Sequence, residues 1–367
     1  MLDFNNVINN YGQTVDEKTR TLVLSLISEN RKQALYFFGR NESSSQLSAL
    51  IASDGFIDDY APVGTTWRGK PVFKLDEVAK DSIVVNCVSN SRPATAMRRI
   101  ESSGIKNILS YADLCKVLPD RVPLPDFVAQ TRADMAIHAG KWQTVYERLA
   151  DSESQKVFND VLMYRLTGDS SALPGYTYRP KEQYFEDFLN IDDEVFVDAG
   201  GFDGETTELF CLKYPNYRRV ILFEPSHENM QLAKSRLAAF RSVEFIEKGV
   251  SDKAGTLHFK SNLGSGSLIS ADGDASIEVT TIDSYLDDEA TFIKMDLEGW
   301  ELNALKGASW HIKKCHPKLA IAVYHAPSDI WKTLDFVLDC WPEYSVFLRH
   351  YTESWTETIM YFVPVKR

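Results

Sequence analysis

The segment Val197-Asp198-Ala199-Gly200-Gly201-Phe202-Asp203-Gly204-Glu205-Thr206-Thr207 joins an apolar run to a turn rich in glycine and acidic side chains. A glycine turn after a strand lets backbone approach a nucleoside-containing ligand closely. Glu224 follows 20 positions after Gly204, where an acidic side chain can accept hydrogen bonds from both ribose hydroxyls. Two cofactors use this arrangement. A dinucleotide would lay its pyrophosphate on the turn and the helix N-terminus, where Asp198, Asp203 and Glu205 make negative charge unwelcome. S-adenosyl-L-methionine has no phosphate and carries a cationic sulfonium and an ammonium, which acidic side chains favour. It is therefore the expected cofactor, with a nicotinamide dinucleotide as the alternative. The expected contacts are Asp198, Gly200, Gly201, Phe202, Asp203, Gly204 and Glu224, with Asp198 or Asp203 facing the ammonium, and Val250 and Ser251, followed by Asp252, beside the adenine. For Asp198 and Asp203 taken singly, capping or turn formation is the competing role.

A second cluster, Phe292-Ile293-Lys294-Met295-Asp296-Leu297-Glu298-Gly299-Trp300-Glu301, follows another apolar run. Ligands of open α/β sheets bind beyond the carboxyl ends of the strands, so Asp296 and Glu298 are expected in the same cleft as Glu224. There they could orient a substrate hydroxyl, take its proton or hold a cation. Either could instead cap the helix beginning near Trp300, and Glu301 is expected to be solvated or paired. His325, in Val323-Tyr324-His325-Ala326-Pro327-Ser328-Asp329, is the histidine best placed for proton transfer. Asp296, Glu298 and His325 are the candidate catalytic residues. Carboxylate and imidazole together also suit several metal ions, but no tight ligand spacing supports a metal, which stays open. His350 is a candidate for the mouth of the site, and Tyr184 and Phe185 could lie over it or pack in the core.

These residues need strands that deliver them to one edge. Val195-Phe196-Val197, Arg219 to Phe223, Val243 to Ile246, Phe292 to Met295 and Leu319 to Val323 read as core strands separated by helices, which implies a mostly parallel sheet. Gly255 and Thr256 to Phe259 read as part of a hairpin, and Tyr344 to Leu348 with Glu357 to Val363 as an antiparallel C-terminal pair. Upstream, Ala34 to Phe38, Gly55 to Asp59 and Ser82 to Val88 alternate with helical stretches as a smaller α/β unit. From Pro125 to Thr167 apolar residues recur at three- and four-residue spacing, a helical connector that ends in a linker at Gly168 to Ser171 and Pro174-Gly175. The expected division is thus residues 1–125, 126–177 and 178–367, an α/β fold throughout.

The 367-residue chain holds 40 basic and 52 acidic residues, a net charge of −12, which repels a phosphate backbone and argues against nucleic acid as a partner. With 44% hydrophobic and 25% charged residues it has ordinary globular composition. The absence of a basic N-terminal region or a long apolar run leads to the expectation of a cytoplasmic protein without a membrane span. Five scattered cysteines read as free thiols rather than a disulfide framework or a zinc site.

Phe196 to Gly200 with Gly204, then Phe223-Glu224-Pro225, then Ile293 to Glu301, then Tyr324-His325 with Ser328-Asp329 resemble, in order, the motifs of FkbM-type S-adenosylmethionine-dependent methyltransferases over roughly Tyr178 to Val363. The resemblance implies a class I methyltransferase Rossmann-like fold and methyl transfer to oxygen, commonly on a sugar or polyketide-like hydroxyl. Gly201 stands where the family usually has alanine. More weakly, Gly55 to Asp59 and Gly69 to Val72 resemble the Rossmann-like nucleotide-sugar-binding domain of some bacterial sugar acyltransferases, although its first turn has only Gly39. The expectation is direct in-line transfer to a hydroxyl of a sugar, nucleotide sugar or glycan. The alternatives are a nicotinamide-dependent sugar oxidoreductase or epimerase and a catalytically silent nucleotide-binding protein. The partners expected are a small-molecule or glycan acceptor and, as an open alternative, further copies of the chain.

Overall fold

A computed structural model describes residues 3–90, 92–173, 175–259, 275–287 and 289–365; Pro174, in the expected linker, lies outside them. The chain forms two compact units. The first comprises Met1–His138, Lys156–Tyr178 and Tyr351–Thr356, and the second Ala139–Gln155, Arg179–His350 and Glu357–Arg367.

The first unit is built on β1 (Leu35–Phe38), β2 (Gly55–Ile57), β3 (Thr66–Trp67), β4 (Lys70–Phe73), β5 (Ile83–Asn86) and β6 (Asn107–Ser110). Their order is β3-β4-β2-β1-β5-β6, parallel except for the β3–β4 pair. Leu35, Phe37, Phe56, Ile83 and Val85 are buried in its core. The helices Phe4–Asn9 and Glu17–Leu26 were not apparent in the sequence; each starts on an aspartate whose side chain accepts from a first-turn amide, Asp3 from Asn6 and Asp16 from Thr19. Glu353 is buried in this unit and accepts from the Thr95 amide at 2.7 Å and the Thr95 hydroxyl at 2.7 Å, and from Arg98 at 2.9 Å. Its negative charge sits on the first turn of the helix Pro93–Ser102, where the helix dipole favours it.

The second unit contains β7 (Val195–Ala199), β8 (Arg219–Phe223), β9 (Val243–Ile246), β10 (Gly249–Val250), β11 (Gly255–Phe259), β12 (Ala275–Thr280), β13 (Phe292–Met295), β14 (Lys318–Ala322), β15 (Tyr344–His350) and β16 (Thr358–Pro364). Its main sheet runs β15-β16-β14-β13-β7-β8-β9. β9, β8, β7, β13 and β14 are parallel, and β16 is antiparallel to both β14 and β15, as expected for a parallel sheet closed by a C-terminal hairpin. Every residue of β7 and β13 is buried. Strands covered on both faces have no polar side to alternate, so apolar residues dominate them, with Asp198 and Lys294 the charged exceptions. Phe185, Phe196, Phe210 and Phe292 pack together beneath the sheet, each contributing about 1.5–3 kcal/mol by burial. Phe185 therefore belongs to the core and not to a cover over the cleft.

From β7 the chain winds outward to β8 and β9 on one side, then returns to build β13 and β14 on the other. The carboxyl ends of β7 and β13 are thus the switch point, where an open α/β sheet leaves a crevice for a ligand. Antiparallel β16 begins where its parallel neighbours end, so Glu357, just before it, reaches the same edge. Among the described residues no helix is long and apolar enough to cross a membrane, and the five cysteines are free.

Candidate active site

At the switch point the glycine turn fits its neighbours by contact. Gly200 has φ +81°, and a Cβ there would lie 2.0 Å from the Asp296 carbonyl oxygen; the backbones leaving β7 and β13 touch. A Cβ on Gly201 would meet the Leu222 side chain at 2.4 Å, so the alanine usual in the family would displace Leu222 here. The Gly200 and Gly201 amides both donate to the Phe223 carbonyl at 3.0 Å, which ties the turn to the end of β8. Gly204, with φ +85°, precedes the helix Glu205–Lys213.

Glu224 stands beside this turn. One carboxylate oxygen accepts from the Phe202 amide at 3.0 Å and the other from the Ser226 amide at 2.9 Å and the Asn229 side-chain amide at 3.5 Å, so both are fixed and the oxygen facing Phe202 keeps a lone pair for a further donor. Burial pushes its pKa up, against these hydrogen bonds. Phe202 itself has φ +47° and an exposed ring, and serves Glu224 through its backbone. Val250 and Ser251 follow as a buried pair; the Ser251 hydroxyl accepts from the Trp300 indole at 3.1 Å, linking the expected adenine side to the Asp296 loop.

Two aspartates expected at the cofactor are engaged elsewhere. Asp198 is completely buried, with Lys294 Nζ 2.9 Å away and the Thr207 hydroxyl donating at 2.7 Å. β7 and β13 place Asp198 directly beside Lys294 in register, and Lys294 also donates to the Gly200 carbonyl at 2.7 Å. Asp198 thus supports the turn from below and offers no surface to an ammonium group. Asp203 is held by Arg236 at 2.6 Å and accepts from the Glu205 amide at 3.2 Å, which makes it a turn and pairing residue.

The structure brings Asp296, Glu298 and His325 together. His325 Nε2 lies 3.6 Å from Asp296 Oδ1 and 3.5 Å from Glu298 Oε2, and its Nδ1 faces Glu301 Oε1 at 3.1 Å. Glu301 is buried and paired, not solvated; it accepts from the Leu297 amide at 2.6 Å and the Gly299 amide at 3.4 Å. Burial alone would lower the His325 pKa, but the Glu298, Glu301 and Asp296 carboxylates outweigh it and raise the value to about 10. With that value His325 holds its proton at neutral pH.

Tyr184, expected over the site or in the core, and Tyr324, noted beside His325, complete the site together with Glu357, which the sequence did not mark for it. Tyr184 donates to Asp296 Oδ2 at 2.6 Å, and the Tyr324 hydroxyl donates to the same oxygen at 3.1 Å. Both phenols are pushed well up in pKa, first by burial and then by the Asp296 charge, and remain donors. Glu357 accepts from Gln183 at 2.8 Å; burial and the Asp296 charge raise its pKa. Tyr184, Phe202, Glu298 and Glu357 all have positive φ, a costly conformation for side-chain-bearing residues that tends to gather at functional sites. His350 is buried and shares a contact with the Thr358 hydroxyl at 3.0 Å, so it does not line a mouth. In the first unit, Asp58 and Asp59 after β2 are paired with Arg40 at 2.6 Å and Arg99 at 3.0 Å, and neither is placed as an open acceptor.

Counted in chain order within the main sheet of the second unit, the strands lie 3-2-1-4-5-7-6 with the last-added strand antiparallel, and the ligand crevice opens at strands 1 and 4. This is a class I Rossmann-like methyltransferase fold. The sequence model of the methyltransferase FkbM domain matches residues 198–351, and that segment is a methyltransferase domain of FkbM type. The crystal structure of a methyltransferase FkbM from Methylobacillus flagellatus is similar over 98% of this chain and 99% of its own, with TM-score 0.75 and 23% identity. An rRNA methylase from Streptococcus thermophilus covers 49% of this chain and 93% of its own, at 18% identity and TM-score 0.34. Aeropyrum pernix fibrillarin, crystallised with natively bound S-adenosyl-L-methionine, covers 50% and 71%, at 12% identity and TM-score 0.32. No curated protein matches the chain significantly.

Proposed function

We propose that the C-terminal half transfers a methyl group from S-adenosyl-L-methionine to a hydroxyl oxygen of a sugar, nucleotide sugar or glycan. The observation that carries this is Glu224, with its two oxygens fixed by backbone amides beside the glycine turn at the switch point and so presented to two vicinal hydroxyls. The donor set fits this cofactor better than a dinucleotide. The helix after the turn opens with Glu205 and Glu208, next to Asp203, where a pyrophosphate would meet like charge. The acceptor class is supported by the FkbM resemblance. When bound, the cofactor supplies an electrophilic methyl group.

The chain's own residues bind and orient. Glu224 holds the ribose, the Gly200 to Gly204 turn gives close backbone approach, and Val250 with Ser251 walls the adenine side. Asp296, fixed by Tyr184 and Tyr324, positions the acceptor hydroxyl. Asp296 is occupied by its two phenolic donors, and the more exposed Glu298 is the carboxylate placed to take the proton. Proximity and orientation are the main source of acceleration.

Calorimetric titration with S-adenosylhomocysteine and, separately, NAD tests the cofactor. S-adenosylhomocysteine alone should bind, and Glu224→Ala should weaken it roughly 10- to 100-fold, the equivalent of losing hydrogen bonds to a charged group. Binding of NAD alone would overturn the proposal in favour of the oxidoreductase alternative.

A further inference from the structure

One imidazole nitrogen, His325 Nε2, faces two carboxylate oxygens at 3.5 and 3.6 Å. These separations exceed the 2.7–3.2 Å of a good N–H···O hydrogen bond. Two ligands about 2.1 Å from a common ion stand roughly 3.0–3.4 Å apart at octahedral or tetrahedral angles, so the observed spacing is a few tenths of an ångström from that of a ligand set.

The surroundings match such a set. His325 Nδ1 faces Glu301 at 3.1 Å, and Glu301 is held by the Leu297 and Gly299 amides. A carboxylate behind the distal nitrogen is how ligating histidines are oriented and made more basic. Tyr184 donates to Asp296 Oδ2, and the Tyr324 hydroxyl sits between the two oxygens, 3.1 Å from Oδ2 and 3.3 Å from Oδ1, which fixes the carboxylate beside the imidazole. Glu298 is 63% exposed, so solvent or a substrate oxygen can reach the centre.

We propose that this cluster is a divalent metal site in which His325 Nε2, Asp296 and Glu298 are the ligands and Glu301 is the positioning residue. The ion takes the place of the proton on Nε2. A mixed imidazole and carboxylate set suits first-row ions such as Mn(II) or Zn(II). The ion's role, though not its binding, rests on the methyl-transfer proposal: as a Lewis acid it would lower the pKa of a hydroxyl brought to it.

The test is titration of the EDTA-treated, dialysed full chain with MnCl2, with free Mn(II) read by electron paramagnetic resonance. One ion should bind per chain. Asp296→Asn and His325→Ala should each weaken binding at least tenfold, and Glu301→Gln by about 10- to 100-fold through loss of orientation. Circular dichroism checks that each variant folds, and the near-isosteric Asp296→Asn and Glu301→Gln carry the test if His325→Ala does not. Absence of uptake at millimolar Mn(II), or uptake indifferent to these substitutions, overturns the site. The titration needs neither cofactor nor acceptor. Mn(II) uptake by a chain that binds no S-adenosylhomocysteine would support the metal site while refuting the methyl-transfer proposal.

Discussion

Lys294→Met should destabilise the second unit and slacken the glycine turn at a single stroke. Lys294 is 3% exposed and Asp198 is 0% exposed, with the charged atoms 2.9 Å apart. Removing one member of such a pair leaves a buried, uncompensated charge and costs about 3–5 kcal/mol. For a unit of this size each kcal/mol moves the melting temperature by about 2–4 °C, so the transition reporting the second unit should fall by roughly 6–20 °C. The Gly200 carbonyl also loses its donor, so S-adenosylhomocysteine affinity should fall even where the protein remains folded. Asp198→Asn in the same chain removes the orphaned charge and keeps an acceptor for Thr207. The double variant should therefore recover part of the loss, with a coupling energy of about 0.5–3 kcal/mol for groups in one network. The assay is thermal unfolding of the four proteins of the cycle, with ligand titration of each at low temperature. The reasoning fails if Lys294→Met melts within a degree or two of wild type. It fails equally if Asp198→Asn abolishes ligand binding while stability is unchanged, since that would make Asp198 a ligand group after all.

Gly200→Ala meets two costs: a left-handed backbone at about 1–2 kcal/mol and a Cβ 2.0 Å from the Asp296 carbonyl that only backbone movement can relieve. It should lower stability by more than ~2 kcal/mol in urea unfolding and abolish S-adenosylhomocysteine binding. In the first unit, burial would raise the Asp169 pKa, yet the Lys116 ammonium and the hydrogen bonds from Lys116 and Ser171 hold it below its ordinary value. A depressed carboxylate contributes stability above its unfolded pKa of about 3.9 and loses it as pH falls through the lower folded value. The stability gap between wild type and Asp169→Asn, measured by urea unfolding at a series of pH values, should stay level above about pH 5 and close as the solution becomes more acidic. A gap that widened on acidification would contradict the pairing.

The parallel strands of the second unit were legible because burial on two faces makes β7, β13 and β14 mostly apolar, while the helices Phe4–Asn9 and Glu17–Leu26 were missed because they bury only Phe4 and Val23 with Leu26. Glu224, Asp296, Glu298 and His325 could be named because each follows a recognisable strand. Lys294 carried a usable signal, a charge inside a core strand that must find a partner, but only the strand register shows that the partner is Asp198. Tyr184 and Glu357 reach Asp296 from distant segments through positive φ, and no local spacing encodes that approach.

What separates the acidic residues of this edge is the group that answers each charge. Lys294 answers Asp198, Arg236 answers Asp203 and two amides hold Glu301 behind His325. Those three shape the site from behind. Glu224 and Asp296 are held by amides and phenols, and Glu298 faces the His325 imidazole with most of its side chain exposed, which is why these three take the ligand-facing roles in the proposed function. An acidic side chain at or beyond the end of β7, β8 or β13 was common to all six, and only the long-range partner tells them apart.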